Sequence, residues 1–272
     1  MADIAGIELS AKQAPDSVSF LAVLKDSAKS SRDALVTRGT RSDAFRDGDW
    51  KLIIGPGSGS SGAFYSEPKS EDAWKTAIEE FGRICYNTAY LLVVQWVLFG
   101  AILAGGSEDQ KEKYLPGLAD GSIRGAFSTT ESQSGSDVGG ILTRATPVKG
   151  GYQISGNKIW CTNSSVADFV VVAARLDGME GKRAINFFIV DRGSKGFSIG
   201  APENKMGARG IPSCPLYFDD VFVDQDAMLG KPGEGFRIVM EAFNISRPII
   251  GARGVGLSQG AFDHALAFEK ER

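Results

Sequence analysis

Cysteine, histidine and proline are sparse in this 272-residue chain, with 3, 1 and 10 copies. The cysteines, Cys85, Cys161 and Cys214, are odd in number, far apart and without any CxxC spacing, which suggests neither a disulfide framework nor a zinc site. His264 is the lone histidine, so a Ser-His hydrolase would rest on it alone; it lies in the helical pattern AFDHALAF, where a solvated or capping imidazole is the simpler reading. No dense Lys/Arg cluster occurs and the formal net charge is −3, which argues against general nucleic-acid binding. A small molecule or a protein is the expected partner. The opening MADIAGIELSAK lacks the basic-then-apolar order of a secretory signal, and the expected compartment is the reducing cytoplasm.

What the chain does have is core-forming material: 43% of its residues are hydrophobic and 23% charged, enough for a large core or a few modest domains. The stretch YLLVVQWVLFGAILAGG, residues 90–106, has almost the length of a membrane span. It contains Gln95 and runs straight into SEDQKEKYL, a new helix start with Ser107 as N-cap, so it reads as a buried core helix with no membrane role.

The periodicity changes twice along the chain. SVSFLAVLKDSAKSSRDALV (17–36) and SEDAWKTAIEEFGRICYNTAYLL (70–92) space apolar residues at helical intervals, the second behind a Ser N-cap and an acidic first turn. GPGSGSSGAFYSEP between them reads as a connecting loop. After Gly125 come RATPVKG, GYQISGNKIWCTN, FVVVAARL, AINFFIVD, FSIGAP and LYFDDVFVD, short β-branched runs separated by turn residues and expected to form antiparallel strands. From Gly235 the helical period returns, with Pro248 as an expected break. The fold class is therefore α+β: a helical domain over 1–124, an antiparallel β-domain over 125–234 and a helical segment over 235–272.

FSTTESQSGSDVGG, residues 127–140, lies where the first helical part meets the first strand. Its composition suits a flexible linker or a loop that offers amides and hydroxyls to a ligand. Well-patterned strands follow it, and Glu131 and Asp137 punctuate it regularly, which favours the cradle.

TTESQSGSDVGG, NKIWCTN, LGKPGEGF and NISRP followed by GARGVGLSQGAFDHAL occur in an order that resembles the acyl-CoA dehydrogenase family, from about Ala77 to the last residue. Thr130, Glu131, Ser134, Gly135, Ser136, Asp137 and Gly140 fit its first signature. The resemblance implies an FAD-dependent oxidoreductase acting on an acyl thioester of CoA or an acyl carrier protein. It implies that Phe127, Thr129, Thr130, Gly135, Ser136, Trp160 and Thr162 line the flavin: the threonines at the pyrimidine side, Gly135 and Ser136 at the diphosphate, Trp160 over the ring and Thr162 near the hydride-accepting nitrogen. Ser136, Asn244 and Arg247 would meet the substrate, the Arg fork suiting phosphate or carbonyl oxygens. LGKPGEGF reads as a turn closing the β-domain. Phe127 stands where the family often has Tyr, and Ser128 and Thr129 where it prefers a small residue and an aliphatic, so contact there falls to the main chain.

Relatives take the substrate's α-proton with a Glu that lies either late in a C-terminal helical domain or just before the Arg of the NISR stretch. The second place holds Ser246, and the chain ends at FEKER, ahead of the first. The expectation is a family member lacking its last helices, with uncovered apolar helix faces and a homo- or hetero-oligomeric partner that brings those helices and the base. The rival reading is a non-catalytic paralogue acting as a binding or scaffold protein.

Overall fold

The computed structural model describes residues 34–38, 43–47, 50–54 and 71–271. Strands β1 (Ala34–Arg38), β2 (Asp43–Asp47) and β3 (Trp50–Ile54) form an antiparallel sheet in that order. Asp47 pairs with Trp50 and Asp43 with Ile54, which sets the β2–β3 register. The helix expected over 17–36 is corrected at its end, where Ala34, Leu35 and Val36 pair with β2; the earlier part, Ser70 and the Gly/Ser/Pro loop lie outside the described residues.

Helices α1 (Glu71–Ile84) and α2 (Tyr86–Gly105) are separated at Cys85, where a single helix was expected. The Cys85 carbonyl accepts the first bonds of the new helix from the Thr88 and Ala89 amides, at 3.1 and 3.3 Å. Helix α3 (Glu108–Asp120) opens with a reciprocal capping box: the Gln110 amide donates to Ser107 Oγ at 3.2 Å, and the Ser107 amide to Gln110 Oε1 at 2.9 Å.

The middle of the chain forms a seven-stranded sheet in the order β4 (Gly125–Ser128), β7 (Phe169–Leu176), β5 (Arg144–Val148), β6 (Gly151–Thr162), β10 (Ser213–Asp224), β9 (Phe197–Ile199), with β8 (Ile185–Asp191) also paired to β7. All the strand-patterned runs form strands. The all-antiparallel expectation is corrected at β4–β7 and β5–β7, which pair in parallel. The chain between β4 and β7 is long enough to cross over, and parallel pairing needs such a crossover.

The described residues divide into two compact units, one of residues 93–118 and 123–247, the other of those before 93 with 119–122 and 248–271. In the first, period-2 alternation splits the sheet's side chains between two cores. Phe169, Val171 and Ala173 with Ile185 and Phe187 pack on Leu98 and Ile102 of α2, Tyr114 of α3 and Ile238, Val239 and Ala242 of α4 (Gly235–Glu271). Val170, Val172, Phe188 and Val190 face Ile154, Leu216, Phe218 and Val221 from the other end of the same sheet, which is therefore curled. Helix α2 is long and apolar enough to cross a membrane by composition, with a mean hydropathy of 1.8, yet Leu98, Ala101 and Ile102 are core residues and Gln95 Nε2 donates to the Gly125 carbonyl at 3.2 Å.

In the second unit α1 and α4 touch backbone to backbone, because a Cβ on Gly256 or Gly260 would strike the Glu79 or Arg83 carbonyl. Arg83 Nη1 meets Asp263 Oδ2 at 3.1 Å, and the Arg253 guanidinium lies 4.7 and 4.3 Å from the Tyr86 and Tyr90 ring centres. The break expected at Pro248 does not occur: α4 runs through it. Pro248 and Asn244 both lie on the exposed side, so the carbonyl deprived of its N–H partner faces water. Val255, Leu257 and Phe262 are exposed further along α4.

Candidate functional site

Residues 125–130 run beside residues 158–163. The Ile159 amide donates to the Thr130 carbonyl at 3.0 Å, Asn163 Nδ2 to the Gly125 carbonyl at 3.4 Å, and the Cys161 thiol lies 3.8 Å from the Phe127 carbonyl. This juxtaposition brings Phe127, Thr129 and Thr130 to Trp160 and Thr162, which the sequence separates by some thirty positions.

Beyond Thr130 the chain folds into a loop held by its own hydrogen bonds. Glu131 and Ser134 exchange main-chain bonds of 2.9 and 3.1 Å. Ser134 Oγ donates to the Asp137 carbonyl, and Asp137 Oδ1 accepts from the Gly139 amide at 3.1 Å, capping the short turn Val138–Gly140. Gly135 and Ser136 are exposed at the tip, and a Cβ on Gly135 would meet only open space.

Under the loop lies a buried ion pair. Lys158 Nζ is 2.7 Å from Glu131 Oε1 and 3.0 Å from the Thr129 carbonyl. Glu131 also accepts from the Leu142 amide at 2.6 Å, the Thr143 amide at 3.0 Å, Thr143 Oγ1 at 2.6 Å and Gln133 Nε2 at 2.6 Å. Burial works to raise the Glu131 carboxyl, but the bonds from Lys158, Thr143 and Leu142 outweigh it and hold the group at about 2. Burial pushes Lys158 down to about 8 against the pull of Glu131. Burial also pushes the Cys161 thiol up to about 12, which makes it an inert core thiol.

Trp160 is the unusual residue. Its φ of +59° lies in the left-handed region, uncommon for a bulky side chain, and its indole is 55% exposed. A strained backbone holding an aromatic ring in solvent places a large flat surface beside the collar. Thr162 Oγ1 lies 3.5 Å from the Trp160 carbonyl.

The remaining sequence candidates divide. The Phe127 ring stacks on Phe187 at 5.3 Å and meets Phe243 edge-on at 6.0 Å, so it faces the core and only its main chain borders the collar. Asn244 and Arg247 follow Phe243 on α4 and bind each other, Nη1 to Oδ1 at 2.8 Å. Ser246 is buried and donates to the Phe243 carbonyl at 3.2 Å. Glu241 is an exposed partner of Arg237 at 2.7 Å, and His264 is exposed. Sequence reasoning missed Lys158: nothing in NKIW marks its charge as buried, and its partner stands 27 residues away.

Two family models match this arrangement: the acyl-CoA dehydrogenase N-terminal domain over residues 73–122 and the acyl-CoA dehydrogenase middle domain over 126–221. The chain belongs to the acyl-CoA dehydrogenase family. It is similar to the short-chain-specific acyl-CoA dehydrogenase of Clostridium acetobutylicum, 40% identical over 197 residues that make up 72% of this chain and 52% of that protein. Among solved structures, butyryl-CoA dehydrogenase of Megasphaera elsdenii aligns with a TM-score of 0.74 and 33% identity over 78% of this chain and 56% of that one. An FAD-dependent dehydrogenase aligns at 0.68 and 31% identity over 73% and 54%. The chain thus spans about half the length of the relatives it matches. Residues 127–136 of the collar lie at the start of the middle-domain match and residues 160–162 lie inside it.

Proposed function

We propose that the collar of residues 127–136 and 160–162 binds FAD and that the protein takes part in α,β-dehydrogenation of an acyl thioester of CoA or an acyl carrier protein. The observation that carries this reading is Trp160, a strained and exposed indole fixed beside a loop of hydroxyls and amides. The donor set fits the group: flavin edges and a diphosphate are rich in acceptors, and small residues at the loop tip let the main chain approach them. Similar proteins named for acyl-CoA dehydrogenation and for FAD support it.

In this reading Thr129 and Thr130 hold the ring edge, Gly135 and Ser136 the diphosphate, and Trp160 shields one ring face from water, with Thr162 beside it. Ser136, Asn244 and Arg247 meet the substrate's carrier. A bound flavin supplies the two-electron acceptor for the β-hydrogen. The proton acceptor comes from elsewhere: Glu131 is saturated by its donors, Glu241 is paired with Arg237, and position 246 is a buried serine. A carboxylate outside the described residues, on this protein or on a cytoplasmic partner, completes the site. The exposed apolar side chains of α4 support association with a further helical surface.

The test is to load the purified protein with FAD, remove excess, and record its visible spectrum before and after anaerobic addition of acyl-CoA, alone and with candidate partner chains. A yellow protein bleached by acyl-CoA in at least one combination is the expected outcome. A protein that stays colourless with every partner favours the scaffold reading, which a serine at position 246 also suits.

A further inference from the structure

The buried Lys158 ammonium is held at a junction that nothing in the flavin contacts themselves requires. It comes from β6, two residues before Trp160, and reaches across to the strand end and loop that carry Thr129 and Thr130. Its two acceptors differ in kind: the Thr129 carbonyl is part of the collar's own main chain, while the Glu131 carboxylate is tied by Leu142 and Thr143 to the far end of the loop. One cation therefore links the entry of the loop, its exit and the strand that displays the indole.

We propose that Lys158 is a positioning residue of the flavin site, its ammonium acting as a clamp between the Thr129 carbonyl and the Glu131 carboxylate that sets the spacing of the collar and hence the affinity for FAD. The inference rests on the flavin reading above and adds a residue that touches neither ring nor substrate. The surroundings make the clamp specific. On β10, Leu216 stands opposite Lys158, and Thr143 Oγ1 donates to the same Glu131 oxygen that the ammonium meets; Glu131 is the titratable group facing the ammonium among the described residues. Lys158 is 0% exposed, so loss of either partner leaves a buried polar group unpaired. A charged donor binds its acceptors roughly twice as strongly as a neutral one. Loss of the Lys158 proton therefore slackens the clamp.

A pH titration of FAD affinity tests this on the unaltered protein. Apoprotein is titrated with FAD from pH 7 to 9.5, following flavin fluorescence, with circular dichroism run in parallel. Lys158 is held near 8, and the expected result is a weakening of about tenfold across that range, the size of one charge-assisted bond replaced by a neutral one. In Glu131→Gln the ammonium loses its counter-charge, so the midpoint moves to lower pH, a shift that a purely structural defect does not produce. The double variant Lys158→Met/Glu131→Gln removes the charges together, which buried pairs often tolerate; it should keep its fold, bind FAD at least tenfold more weakly and lose the pH dependence. A protein that binds FAD with the same affinity from pH 7 to 9.5, or a folded double variant with unchanged affinity, overturns the clamp. A wild-type protein that binds no FAD at any pH overturns the flavin reading itself, and the clamp with it.

Discussion

Lys158 Nζ and Glu131 Oε1 lie 2.7 Å apart with side chains 0% and 4% exposed, a complete ion pair inside a domain whose other buried side chains are mostly apolar. Removing one partner strands the other. Lys158→Met alone should lower the free energy of unfolding by about 3–5 kcal/mol, read as a shift of the urea midpoint. Adding Glu131→Gln should recover part of that loss; if the double variant is the less stable one, the pair is not coupled as described.

The same pair gives stability a signed pH dependence. Glu131 is depressed in the fold from 4.5 to about 2, so its contribution is fully present above 4.5 and lost as pH falls through 2. Lys158 is depressed from 10.5 to about 8, so between those values the unfolded chain binds more protons and this group's contribution rises with pH. Thermal unfolding followed from neutral pH into acid should show a falling melting temperature that is flatter in Glu131→Gln. Equal slopes in the two proteins would assign the acid sensitivity to other carboxylates.

Trp160 combines backbone strain with exposure, so function and stability should part company there. Trp160→Gly relieves a left-handed φ of +59° and should raise stability by about 1 kcal/mol. The same variant should bind FAD more weakly. Calorimetry and flavin fluorescence read the two effects separately, and a destabilised Trp160→Gly protein would mean that the indole packs more tightly than its exposure indicates.

Gly156 tests the wall behind the clamp. Its φ is +144°, and a Cβ there would stand 2.7 Å from Thr143 Cα, the residue whose amide and hydroxyl both serve Glu131. Gly156→Ala should cost about 2–4 kcal/mol and weaken FAD binding in step, measured by denaturant titration and flavin fluorescence.

Gln110 ties the α3 cap to the end of the β-domain. Beyond its bond with Ser107, its Nε2 donates to the Asp226 and Met228 carbonyls at 2.6 and 3.2 Å. Gln110→Ala should cost about 2–3 kcal/mol by leaving buried carbonyls unpaired, whereas Ser107→Ala should cost about 1 kcal/mol. Urea denaturation distinguishes the two, and equal losses would reduce Gln110 to a cap.

Much of this fold was legible where the signal is local. The strand runs from RATPV to LYFDDVFVD carry their own alternation and turn residues, and Ser107 announced a cap that exists. Legibility failed where a distant partner decided. Ala34–Val36 continues a helical spacing yet pairs with β2, and β4 runs parallel to β7 because the intervening chain crosses over. Pro248 fails to break α4 because its exposed position lets water take the freed carbonyl. At the site, the Ser/Thr/Gly loop and KIWCT were visible as motifs, but the core-facing turn of the Phe127 ring and the charge buried at Lys158 were not.

By itself the sequence determined the order of helices and strands and the stock of hydroxyls and amides in one loop and of an indole in a later strand, because propensity, capping and turn chemistry act over a few residues. Only the tertiary structure decided which of those groups share a site, because strand pairing joins residues some thirty positions apart. It also decided that Lys158 and Glu131 are withdrawn from solvent to hold that site rather than to react in it, since the ionisation of a charged group depends on what surrounds it and not on its neighbours in the chain.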